Sequence, residues 1–239
     1  MSSSAAERHG VAPGERHGVA PGERHGVAPG VELRLALLAG ARETRETPQE
    51  ALPAIDVSAI RGAKVALRRG VEADGLSLRA VCATAPSRQW ATGVEELVLD
   101  RASGITRGTL GMSIDRWEAG PIRATAQRFE QSFEAAGRAG AHAVAIRGRH
   151  VLGFAGSEHD VVLCSVVCVE PAQEAGARCG PLLDAAALEG TLVGPPEPDL
   201  LVRTILYAAE HPLPATAAFG LLAAAGITVL LARRPYPRP

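Results

Sequence analysis

The sequence predicts an α+β domain, an antiparallel sheet with helices packed on it as a sandwich. The domain sits between a disordered N-terminal repeat tail and a single C-terminal transmembrane helix. Three observations carry this. Alternating apolar runs recur at 63–69, 76–85 and within 143–169, a long stretch between them has helical spacing, and residues 214–232 carry no charge. Alternation of period two marks a strand, and a 3.6-residue period marks an amphipathic helix.

The tail comes first. The octapeptide Glu-Arg-His-Gly-Val-Ala-Pro-Gly occurs three times without change, at 7–14, 15–22 and 23–30. Each copy holds one proline and two glycines, and its Glu and Arg cancel. Units this short cannot bury a core, and the period is far below that of a solenoid. A charged, proline-containing stretch follows, so disorder is expected over 1–52. The repeats space His9, His17 and His25 evenly. A duplicated, disordered tail is the simpler reading than a weak metal-binding tract.

The globular domain is expected over 53–193. Ala63–Arg69 and Leu76–Ala85 read as strands joined by a turn containing Asp and Gly. Trp90–Gly111 is helical in pattern, with Val94, Leu97, Val98, Ala102, Ile105 and Leu110 as its apolar positions. Ile122–Phe133 reads as a strand, a helix, or one followed by the other. From Ala141 to Gly156 two apolar runs flank Arg147-Gly148-Arg149, which is a hairpin signal with glycine at the turn. The run from His159 to Glu170 is then a buried strand, and an antiparallel meander is expected from Ala143 to Val169. The element order resembles that of the PsbP/Mog1-type sandwiches. No residue motif carries that likeness, so it concerns architecture and implies no function.

Residues 194–212 are expected to be a proline-rich linker and a short amphipathic helix capped by Asp199. Residues 213–232 follow as a transmembrane helix, and 233–239 as an Arg/Pro-rich tail. Nineteen uncharged helical residues span roughly 28 Å, close to a bilayer's hydrocarbon thickness. The competing reading is a soluble α/β enzyme in which this segment is a buried helix and strand, with Gly226 between them. As an anchor, Gly220, Ala224 and Thr228 recur every four residues and make a small-residue stripe through which two helices can pair as a homodimer. No signal peptide is legible: Met1–Ala6 is uncharged, and the apolar run at 31–41 is interrupted by Glu32 and Arg34. A single-pass membrane protein with a cytoplasmic body is expected, although the Arg-rich end runs against the positive-inside rule.

Composition narrows function by exclusion. The net charge of −1 gives no electrostatic case for nucleic acid. Aromatic residues make up 3%, too few for base-stacking or sugar-binding faces. Lys64 is the only lysine and asparagine is absent, as in a bacterium with a GC-rich genome. No phosphate-binding, dinucleotide, zinc-protease or serine-hydrolase motif is present, so no cofactor, metal or catalytic residue is assigned.

Four cysteines remain, Cys82, Cys164, Cys168 and Cys179. On one strand, Cys164 and Cys168 share a face but stand roughly 13 Å apart, too far to hold one ion or to bridge each other. Cys168 and Cys179 can face each other across the intervening loop, but buried inert thiols are the expectation. The one cluster with possible chemistry is Ser157, Glu158, His159, Asp160 and Cys164, with His142 and His150 nearby. Its pattern is that of a solvated turn between strands. The reading that follows is a membrane-tethered, non-enzymatic adaptor or binding domain with an unidentified protein partner.

Overall fold

The computed structural model describes residues 22–36, 40, 42–43, 62–87, 95–156 and 158–197. The amphipathic helix, the 213–232 segment with its Gly220, Ala224 and Thr228 stripe, and the terminal tail lie outside these residues. Among the described residues, no helix is long and apolar enough to cross a membrane.

Among the described residues the class is α+β, mostly antiparallel sheet with two α-helices. In chain order the strands are β1 Glu23–Ala28, β2 Val31–Leu35, β3 Arg42–Glu43, β4 Lys64–Ala73, β5 Leu76–Ala85, β6 Ser113–Ala119 and β7 Arg123–Ala124. They continue with β8 Arg128–Ala139, β9 His142–Ala155, β10 Asp160–Pro171, β11 Ala187–Gly190 and β12 Leu192–Val193. Helix α1 is Glu95–Thr109 and α2 is Cys179–Ala185. The larger sheet runs β3-β4-β5-β10-β9-β8-β6, with β7 on β8 and β12 on β9. The smaller is β1-β2-β11.

Hydrophobic burial arranges these in layers. The smaller sheet and α2 cover one face of the larger sheet through Val31, Leu33, Leu35, Leu182 and Leu188. Helix α1 covers the other face through Leu99 and Ala102. It fits its site by local rules: Glu95 and Glu96 lie in the first turn and Arg107 in the last, which suits the helix dipole. The β4–β5 hairpin turns at Asp74 and Gly75, both at positive φ (46° and 79°), as a tight two-residue loop requires.

Three expectations are corrected. The third repeat is not tail. Residues 23–28 form β1, Pro29 and Gly30 make the turn, and β2 places Val31, Leu33 and Leu35 in the core. Composition hid this because one edge strand buries little of its own, and β2 supplies the apolar weight. The hairpin at 147–149 does not exist either: β9 runs unbroken from His142 to Ala155. Gly148 is there for close approach, since a β-carbon would lie 2.1 Å from Phe133 Cζ.

The cysteines are also not thiols. Cys82 is bonded to Cys164 and Cys168 to Cys179. Cys82 and Cys164 are direct cross-strand partners on β5 and β10, with Cα atoms 4.1 Å apart. Cys168–Cys179 ties β10 to α2. The one-strand spacing argument separated Cys164 from Cys168 correctly but left their partners on other elements out of view. The uncertain 122–133 region holds β7 and the start of β8.

Candidate functional site

A cleft of about 910 Å³ lies at one end of the larger sheet. Two hairpin turns flank it, β4–β5 at 73–75 and β8–β9 at 139–143. Met112, just past α1, and Val144 and Val169 from the sheet give it an apolar wall. Arg42, Arg79, His142, Glu72 and Asp74 surround that wall with both signs of charge. Ser77 and Val169 are direct partners across β5 and β10, and Ser77 Oγ is buried without a hydrogen-bond partner. The cleft is therefore a mixed site, apolar on one side and polar around it, as small-molecule sites usually are.

Beside the cleft, β10 ends in a tightly held turn. Glu170 is fully buried, and its carboxylate accepts hydrogen bonds from the backbone N–H groups of Gly176, Arg178 and Cys179. The last two are 3.1 Å contacts. Oriented N–H groups at a turn and a helix start favour an anion. Here the chain supplies its own, and the Cys168–Cys179 bond closes the same loop. Arg178 donates to the carbonyl oxygens of Ala73 and Asp74 at 3.2 and 3.0 Å, tying this turn to the β4–β5 hairpin at the cleft rim.

The residues singled out in the sequence do not form one site. Cys164 is in a disulfide and has no nucleophilic thiolate. His159 lies in the β9–β10 loop, with Nδ1 2.9 Å from the Gly194 carbonyl oxygen. Glu158 accepts a bond from the Ser87 hydroxyl at its backbone carbonyl. Ser157 lies outside the described residues. His142 lines the cleft, whereas His150 does not. His150 is fully buried in the middle of β9, its Nδ1 2.7 Å from Ser165 Oγ and its ring stacked on Phe133 at 5.0 Å. Burial pushes its pKa down to about 4. A Ser–His contact of this kind is the start of a catalytic dyad, but here both groups are sealed from solvent. Among the described residues, no group of three metal-ligating side chains converges.

Sequence reasoning missed the cleft because its walls come from five separate segments. The Asp74-Gly75 turn was the one local signal at its rim.

No family model matches the chain, and no curated protein matches its sequence. Among solved structures, it is similar to LpqN, involved in cell envelope biogenesis of Mycobacterium tuberculosis, with TM-score 0.44 and 11% identity. That match covers 70% of this chain and 90% of LpqN. It is also similar to the Ran-binding protein Mog1p of Saccharomyces cerevisiae, with TM-score 0.30 and 14% identity, over 62% of this chain and 77% of Mog1p. A thioesterase family protein from Silicibacter pomeroyi matches with TM-score 0.22 and 14% identity, over 49% of this chain and 91% of that one.

Proposed function

We propose that the chain is a non-enzymatic binding domain that works in an oxidising compartment, tethered to a membrane through 213–232, with the cleft as its binding site. The carrying observation is that all four cysteines of the sequence are joined in two disulfides. Paired structural cysteines are characteristic of proteins outside the reducing cytosol. This favours a body on the outer side, in place of the cytosolic body that the sequence suggested. The opposite topology also leaves Arg233, Arg234 and Arg238 on the cytoplasmic side, as the positive-inside rule prefers. The non-enzymatic reading is supported by the fate of the candidate nucleophiles, Cys164 bonded and the Ser165–His150 pair buried.

The location is tested with a maleimide-polymer reagent on denatured protein taken from cells under acid quench. No mass shift before reduction and a shift for four thiols after it are expected; four reactive thiols before reduction contradict the reading. The cleft is tested by native mass spectrometry of the full chain extracted from its membrane. A bound small molecule that Met112→Arg expels is expected, and a ligand-free chain contradicts the assignment.

A further inference from the structure

The face of the larger sheet under α1 carries two apolar clusters that do not join. One gathers Leu99 and Ala102 of α1 with Leu152, Phe154 and Leu163. The other gathers Phe133, Ile146, Val167 and Val169 with Leu110, and partly buried Met112 packs on it. Between them lies a polar row. Gln131, His150 and Ser165 are direct cross-strand partners on β8, β9 and β10 and so share this face. The buried face of α1 runs from Leu99 and Ala102 into Ser103 and Thr106 before reaching Leu110. Gln131 Nε2 donates to Asp100 Oδ1 at 2.9 Å, which fixes this part of α1 over the row.

The row is unfinished. His150 and Thr106 are 0% exposed, Gln131 3% and Ser103 4%. His150 Nε2, Gln131 Oε1, Ser103 Oγ and Thr106 Oγ1 are all buried with no hydrogen-bond partner. Two such atoms on the row and two on the buried face of α1 make the docking of the helix costly, and each asks for a partner. The cleft shares the second apolar cluster with this face: its wall residues Val144 and Val169 belong to that cluster, and Met112 packs on it. From Val169 at the cleft to Ser165 in the row is four strand residues, roughly 13 Å.

We propose that the cleft and the row are the two ends of one site for a neutral amphiphile. Its apolar chain lies along Val169, Val167 and Phe133, and an uncharged hydroxyl-type tip reaches His150 and Gln131. Leu110, just past α1, which packs with Phe133 and Val167, moves aside with the end of the helix to admit it. This rests on the reading of the cleft as a binding site and adds the class of ligand. The tip must donate to Gln131 Oε1, which only accepts, and accept from a hydroxyl such as Thr106; an alcohol does both. A charge is disfavoured there. Asp100 of α1 is the charged group fixed beside the row by a hydrogen bond. The β5 residue opposite Ser165 is Val81, and His150 stays neutral near pH 7 because it is buried. Two sheet arginines share this face away from the His150 end, Arg68 beyond Val81 on β4 in the same row and Arg79 opposite Val167, one row nearer the cleft.

The structure contains its own reporter, because Trp117 stacks on Phe133 at 4.5 Å and Phe133 stacks on His150. The full chain carrying Trp90→Phe is titrated with 1-decanol and with decanoic acid at neutral pH, reading Trp117 fluorescence. Decanol is expected to saturate, with decanoate weaker by about tenfold or more. The double variant His150→Phe, Gln131→Leu is expected to weaken decanol by about tenfold, near the weight of one lost hydrogen bond. Its melt is recorded beside the titration, and cooperative unfolding well above the titration temperature separates lost binding from lost folding. A double variant that binds like the parent, or decanoate binding as tightly as decanol, overturns the amphiphile assignment. The cleft reading stands in that case if native mass spectrometry still finds a ligand that Met112→Arg expels. No saturable response to decanol overturns the assignment as well.

Discussion

Gly148 lies directly beneath the ring of Phe133. These two residues are cross-strand partners on β9 and β8, and a β-carbon at 148 would fall 2.1 Å from Cζ and 2.5 Å from Cε1. The absent side chain lets the ring lie flat between Trp117 and His150. Gly148→Ala is therefore expected to lower stability by about 1–3 kcal/mol, the usual cost of overpacking a core. Phe133→Leu combined with Gly148→Ala should recover part of that loss. Urea denaturation of the four chains of this cycle measures the coupling, and additivity contradicts the stacking account.

The pH dependence of stability has a defined sign. His150 ionises near 6.5 in the unfolded chain and at about 4 when folded, because burial disfavours the cation. The unfolded state then binds the extra proton first. Stability is full above pH 6.5 and falls by roughly 3 kcal/mol as pH drops to about 4. His25, also lowered by burial and next by Arg69, acts in the same direction. His150→Phe should flatten most of this slope in denaturant melts taken across the window. An unchanged slope contradicts the assignment to His150.

The N-terminal strands should be needed for stability. Leu33 is 1% exposed on β2 and packs in the core beneath the smaller sheet. Leu33→Ala is expected to cost about 2–5 kcal/mol. A thermal melt of that variant matching the parent would return β1 and β2 to the tail.

Much of the sheet was legible in the residues. Asp74-Gly75 announced the β4–β5 hairpin, and the apolar run before Glu170 announced β10. What failed were residues whose reason is non-local. Gly148 between two arginines has the grammar of a turn, yet its partner is an aromatic ring on another strand. The third repeat matches its two upstream copies residue for residue, so composition could not single it out. Only its position beside Val31–Leu35 does so. His150 was noticed among neighbours in sequence, while Gln131, Ser103 and Thr106, which share its burial, lie on other elements. Strand β6 and helix α2 were missed because runs of seven residues carry too little periodicity to read.

The two disulfides should differ in weight. Cys82–Cys164 spans 82 residues of sequence and Cys168–Cys179 spans 11. Chain-entropy reasoning gives about 4.5 kcal/mol for the longer loop and about 3 kcal/mol for the shorter. The paired Cys→Ala variants, compared by denaturant melts, should therefore lose more stability at 82 and 164 than at 168 and 179. The reverse order would assign the larger constraint to the Glu170 turn.

The central claim is that this is a disulfide-stapled domain, and peptide mapping of the unreduced full chain by mass spectrometry tests it most directly. The account predicts cross-linked peptides joining Cys82 to Cys164 and Cys168 to Cys179, each disappearing on reduction. Four free thiols in protein taken from its native compartment, or a different pairing, would contradict it.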